Sequence, residues 1–85
     1  MDPNACLFLL LDSAARGDAE NVKEYADSMR TWLNGGGFSP VVYWSGAPCD
    51  VILVYDYETL CVRTRQGTLR AVPMAQLSAD SPSEA

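Results

Sequence analysis

The sequence predicts an α+β domain: an N-terminal helical hairpin packed on one face of a four-stranded antiparallel meander. Three observations carry this reading. Apolar residues recur at helical spacing as far as Leu33, the run Asn34-Gly35-Gly36-Gly37 stops that pattern, and from Val41 onward short β-branched and aromatic runs alternate with turn residues. The run Val51-Ile52-Leu53-Val54-Tyr55, bounded by Asp50 and Asp56, is the central strand about which the rest is arranged.

The first helix is expected over residues 3–16. Asp2 can cap free N–H groups and Pro3 suits the first helical position. Leu7, Leu10, Leu11 and Ala14 form its core stripe, while Cys6, Phe8 and Leu9 extend the apolar surface nearly all round, so the helix should be heavily buried. Gly17 ends it, Asp18 caps the second helix, and Val22, Tyr25, Ala26, Met29, Trp32 and Leu33 give that helix one apolar face over residues 19–33. Lys23 and Asp27 are spaced to pair on its other side. The string Leu10-Leu11-Asp12-Ser13-Ala14-Ala15-Arg16-Gly17-Asp18-Ala19-Glu20-Asn21-Val22 resembles the helix-turn-helix of an ankyrin repeat. It occurs once, and a solenoid needs about three copies to bury its faces, so it reads as an αα-hairpin.

Strands are expected at about 41–44, 50–56, 59–65 and 68–72, with Ser45-Gly46-Ala47-Pro48, Tyr57-Glu58 and Gln66-Gly67 as the turns. Pro73 to Leu77 suits one helical turn that folds Met74 and Leu77 back on the sheet. The domain then spans residues 1–77, and 78–85 is expected to be a disordered tail. The string from Gly46 to Leu77, with Val72-Pro73-Met74-Ala75-Gln76-Leu77 after the last strand, resembles an SH3-like small barrel. A helical hairpin followed by such a barrel is the alternative architecture.

Side chains alternate across a sheet, so two-residue loops would set the faces. Residue 55 would oppose 60 and residue 64 would oppose 69, which places Val51, Leu53, Tyr55, Leu60, Val62, Leu69 and Ala71 on the core face. Ile52, Val54, Cys61, Arg63, Arg65, Arg70 and Val72 then share the outer face. Three of the six basic residues meet there, beside aliphatic side chains. Arginine on an apolar ground suits protein recognition, because its fork binds carboxylates and arginine is enriched at binding hot spots. Ile52, Val54, Arg63, Arg65, Arg70 and Val72 are therefore the expected partner-binding residues, the partner being an acidic protein segment or a second copy in a homodimer. The competing reading is that the arginine heads pair with Asp50, Asp56 or Glu58 on a solvated sheet.

Composition narrows the other classes. An 85-residue chain buries roughly 60–65% of its unfolded surface, too small a core to frame a large active-site cavity. Eleven Asp and Glu against six Lys and Arg leave a formal charge of −5, which disfavours nucleic acid and anionic membranes, since both demand a basic field. The longest apolar run near the N-terminus, Cys6 to Leu11, is too short to span a membrane, and no charged n-region precedes it. There is no histidine, so Ser-His-Asp and Cys-His sites are excluded, and the widely spaced Cys6, Cys49 and Cys61 make no zinc set. Reduced buried thiols in a cytoplasmic protein are expected, with no metal, no cofactor and no enzymatic activity.

The function expected is thus a small non-catalytic interaction or regulatory module. Two alternatives come from other classes: a nucleic-acid-binding accessory protein of SH3-like or OB-like type, and a redox-active thiol protein using Cys61 beside Arg63 or Arg70.

Overall fold

The computed structural model describes residues 2–79. Its order is α1 (Pro3–Arg16), α2 (Ala19–Asn34), β1 (Val41–Trp44), β2 (Ala47–Val54), β3 (Thr59–Thr64), β4 (Leu69–Pro73), a 3-10 turn at Met74–Gln76, and β5 (Leu77–Ser78). The helical hairpin and the antiparallel strands of the expected α+β class are both present. One strand is added to the meander, and the open sheet runs β4-β3-β2-β1-β5, with β4 and β5 at its edges. Ser78, expected in a disordered tail, pairs instead with Tyr43, and Ala79 packs against the core. The remainder of that expected tail lies outside the described residues.

The helix ends follow from their capping residues. The Asp2 carboxylate accepts the Asn4 N–H at 3.0 Å, Pro3 opens α1, and Gly17 closes it in the left-handed conformation. Asp18 then caps α2 by accepting the Asn21 N–H at 3.3 Å. Cys6, Leu7, Leu10 and Leu11 of α1 meet Val22, Ala26 and Met29 of α2 in one cluster with the inner side of the sheet. Phe8 and Leu9 do not follow the expectation of an all-round buried helix; they are 48% and 40% exposed. Their side of α1 faces neither α2 nor the sheet.

Ser45 and Gly46 (φ 52° and 82°) form a two-residue turn with both residues left-handed, which matches the strand twist and starts β2 at Ala47, not at Asp50. Pro48 consequently lies inside a strand. It sits opposite Tyr43 where β3 has not yet begun to pair, so its missing N–H breaks no ladder bond.

Two local features overturn the expected faces. Between Val51 and Leu53 the β2–β3 register shifts: Val51 opposes Val62, whereas Leu53 opposes Cys61 and Val54 opposes Leu60. This bulge at Ile52 lets Val51 and Val54 both point into the core. The second feature is the β3–β4 connection, a three-residue loop, Arg65-Gln66-Gly67. The Thr64 N–H donates to the Thr68 carbonyl at 2.9 Å, and Gly67 takes φ 88°. Arg63 therefore opposes Leu69, and Leu60 opposes Val72.

The inner face thus carries Val42, Cys49, Val51, Val54, Leu60, Val62 and Val72. Val54 and Val72, assigned to the outer face by the sequence pattern, are 6% and 2% exposed, whereas Leu53, Tyr55, Leu69 and Ala71, assigned to the core, are exposed. The physical reason is the pleat: a one-residue slip inverts every following side chain.

The β2–β3 loop is tied to α2. The Tyr57 hydroxyl donates to the Asp27 carboxylate at 3.0 Å, and the Arg30 guanidinium lies 5.7 Å from the Tyr57 ring centroid while donating to the Val54 carbonyl at 3.4 Å. Asp27 also pairs with Arg30 at 3.5 Å, in place of the expected Lys23.

Candidate interaction face

Residues directly opposite each other share a face, so the pairings define rows across the outer side of the sheet. One row is Val41, Asp50, Arg63 and Leu69; the next is Leu53, Cys61 and Ala71. Leu53 is 44% exposed and Leu69 is 59% exposed, with Ala71 also exposed and Cys61 half-buried. Both helices pack on the inner face, and only at Leu53 does the C-terminal turn of α2 come near these rows, where Leu53 lines a small recess with Arg30, Leu33 and Asn34. The result is an apolar patch on β2, β3 and β4 that solvent reaches.

Charge is arranged around this patch unevenly. The Arg65 guanidinium binds the Asp50 carboxylate at 3.5 Å, which is the pairing that the solvated-sheet reading anticipates. Asp50 is also the cross-strand neighbour of Arg63, but Arg65 holds it. Among the described residues, neither Arg63 nor Arg70 has a carboxylate at ion-pair distance. Two exposed arginines therefore stand uncompensated at the β3–β4 end of a chain whose formal charge is −5.

Of the six residues expected to bind a partner, the structure keeps Arg63 and Arg65 on the outer face. Arg70 shares a row with Val62 and so lies toward the inner side, but at the open edge, where it is exposed. Val54 and Val72 belong to the core, and Ile52 sits half-buried at the bulge. Leu53, Leu69 and Ala71 were missed as surface residues. Gly67 is a signal that could have found them, since glycine serves a three-residue hairpin with a left-handed third position as well as a two-residue one.

The thiols are separated by the same geometry. Cys49 is on the inner face and Cys61 on the outer, so the strands hold them on opposite sides of the sheet, and all three cysteines are free. Cys61 lies between Leu53 and Ala71, with Arg70 across the sheet from it. Burial pushes the Cys6 thiol above its ordinary pKa. Burial does the same to Cys49, opposed by the nearby Arg65 and reinforced by Asp50.

Cysteine modification gives a direct check. In the native protein near pH 8, maleimide should label Cys61 first, and Cys6 and Cys49 should react only after denaturation, as peptide mass spectrometry will show. The linkage sign follows from neutral burial: above an ordinary thiol pKa of about 8.5, the unfolded chain ionises while the folded one resists, so stability falls as pH rises through that range. Rapid native labelling of Cys49 would contradict its place in the core.

Among the described residues, no group of three or more Cys, Asp and Glu stands together to hold a metal ion, and no helix is long and apolar enough to cross a membrane. A groove of about 690 Å³ lies between the αα turn and the loop before β3, lined by Ala14, Val22, Lys23, Tyr57, Glu58 and Met74 among others. The fold and face define a small α+β domain with one solvent-facing side of its sheet. No protein-family model, curated protein or solved structure matches the chain.

Proposed function

We propose that the protein is a non-catalytic interaction module whose β2–β4 sheet face binds an acidic, partly apolar segment of another protein. The observation that carries this reading is exposed Leu53, Leu69 and Ala71 with the uncompensated Arg63 on the same outer face and the uncompensated Arg70 at the adjoining β4 edge, on its inner side. Leaving such a group solvated makes no use of its apolar surface, whereas an acidic partner would satisfy the guanidinium forks and bury the leucines. A second copy fits less well, because face-to-face self-association brings two sets of the same arginines together.

Fluorescence anisotropy with a labelled peptide alternating glutamate and valine tests this. Saturable binding is expected, and Arg63→Glu combined with Arg70→Glu should weaken it by about a hundredfold, roughly 1.4 kcal/mol per tenfold step, with far-UV CD unchanged. Both side chains are exposed, so the reversal leaves the core intact. Absence of binding, or binding indifferent to the double reversal, sinks the reading. Tighter retention of a single-stranded oligonucleotide that disappears with salt would replace it with nucleic-acid binding.

A further inference from the structure

Strand β4 is an edge of the sheet, and its consecutive exposed residues Leu69, Arg70 and Ala71, which precede buried Val72 and exposed Pro73, form its open length. The ladder phase determines which backbone groups face outward. The Thr64 N–H donates to the Thr68 carbonyl, and the Thr68 N–H returns to the Thr64 hydroxyl at 3.2 Å, so that pair faces inward across β3 and β4, as does the Met74 N–H that donates to the Glu58 carbonyl; alternation then assigns the inward bonds to Arg70 and Val72 as well. Leu69 and Ala71 are non-bonded pairs, opposite Arg63 and Cys61, and their N–H and C=O groups point away from β3. Four backbone groups on alternate residues thus face solvent along one line.

We propose that β4 takes up an extended acidic segment of a partner protein as an added strand. This deepens the reading given under Proposed function, and rests on it, by naming the mode of binding. Strand addition uses main-chain hydrogen bonds for affinity and side-chain alternation for specificity. Here the alternation is written in the edge itself. An incoming residue opposite Arg70 lies on the inner side and meets a free guanidinium, while residues opposite Leu69 and Ala71 lie on the outer face against the apolar rows. The segment that fits is apolar, acidic, apolar, acidic in strict alternation.

The same geometry separates a partner from a second copy. In an antiparallel β4–β4 pair, the register that uses all four outward groups sets Leu69 opposite the partner's Ala71. That register also places the two copies of Arg70 directly opposite each other. Like charges in that position oppose pairing, which is how a charged edge resists self-association. An acidic residue in the same position is attracted instead.

Amide hydrogen exchange on the full chain, with and without the alternating glutamate–valine peptide, distinguishes the mode. Peptide binding should slow exchange at the Leu69 and Ala71 amides and leave Arg70 and Val72, already bonded to β3, unchanged. Ala71→Pro removes one outward N–H without touching the inward ladder and should weaken binding by about tenfold or more. Should Ala71→Pro disturb the fold, a peptide N-methylated at alternate positions makes the same test on the unaltered protein and should bind as weakly. A peptide of the same composition with its valines and glutamates in separate blocks should also lose affinity. Undiminished binding of the N-methylated or blocked peptide, with no protection at Leu69 and Ala71, overturns strand addition while leaving the face reading intact. Loss of all peptide binding to the unaltered protein overturns both, and a concentration-dependent dimer protected at the same two amides makes a second copy the occupant and overturns the acidic partner.

Discussion

Val72→Asp should cost about 4 kcal/mol of folding stability, whereas Leu69→Asp, three residues away on the same strand, should change it by about 0.5 kcal/mol or less. Val72 is 2% exposed in the cluster that joins Leu60 and Met74, so an aspartate there would be a carboxylate without water or partner. Leu69 is 59% exposed on the opposite side of the sheet. A domain of this length has on the order of 4–13 kcal/mol in hand, so the first variant should lose from about a third to all of its stability and the second should remain native. Urea denaturation followed by far-UV CD measures both. The two-residue-loop register demands the reverse ranking, which makes this pair of substitutions a test of the three-residue loop at Arg65-Gln66-Gly67. A native Val72→Asp beside an unfolded Leu69→Asp would restore the inverted faces.

The second large effect lies in the helical layer. Leu10→Ala should destabilise by about 3 kcal/mol, because the side chain is wholly enclosed and the space it leaves cannot collapse without moving both helices and the sheet. Leu9→Ala, at the neighbouring position, should cost under about 1 kcal/mol, since 40% of that side chain already meets water. The same denaturation experiment ranks the two. Equal losses would mean that the Phe8–Leu9 side of α1 is covered in solution, and a protein-concentration dependence of the Leu9→Ala midpoint would show that a second copy covers it.

Much of the fold was legible in the residues because it depends on local chemistry. Asp2-Pro3, Gly17-Asp18 and the triple glycine after Asn34 act on the backbone within a turn or two, and the helices begin and end where they direct. The strand positions follow from β-branched runs broken by Ser45-Gly46 and Gly67. The candidate face was legible only in part. That three arginines gather near one end of the sheet could be inferred from their positions in the last two strands. That Leu53, Leu69 and Ala71 are exposed there, while Val54 and Val72 are turned into the core, could not, because the inference required a register.

By itself, the sequence determined the class: helical hairpin first, antiparallel sheet after, with an acidic exterior and a concentration of arginine late in the chain. Only the tertiary structure decided the faces. A bulge at Ile52 and one extra loop residue before Thr68 are selected by how Val51, Val54, Leu60, Val62 and Val72 fill a common interior with α1 and α2, a contact set spread over most of the chain. The strand period of two turns each one-residue choice into a complete exchange of inside for outside. Local propensity is indifferent to that choice, and the shared core is not.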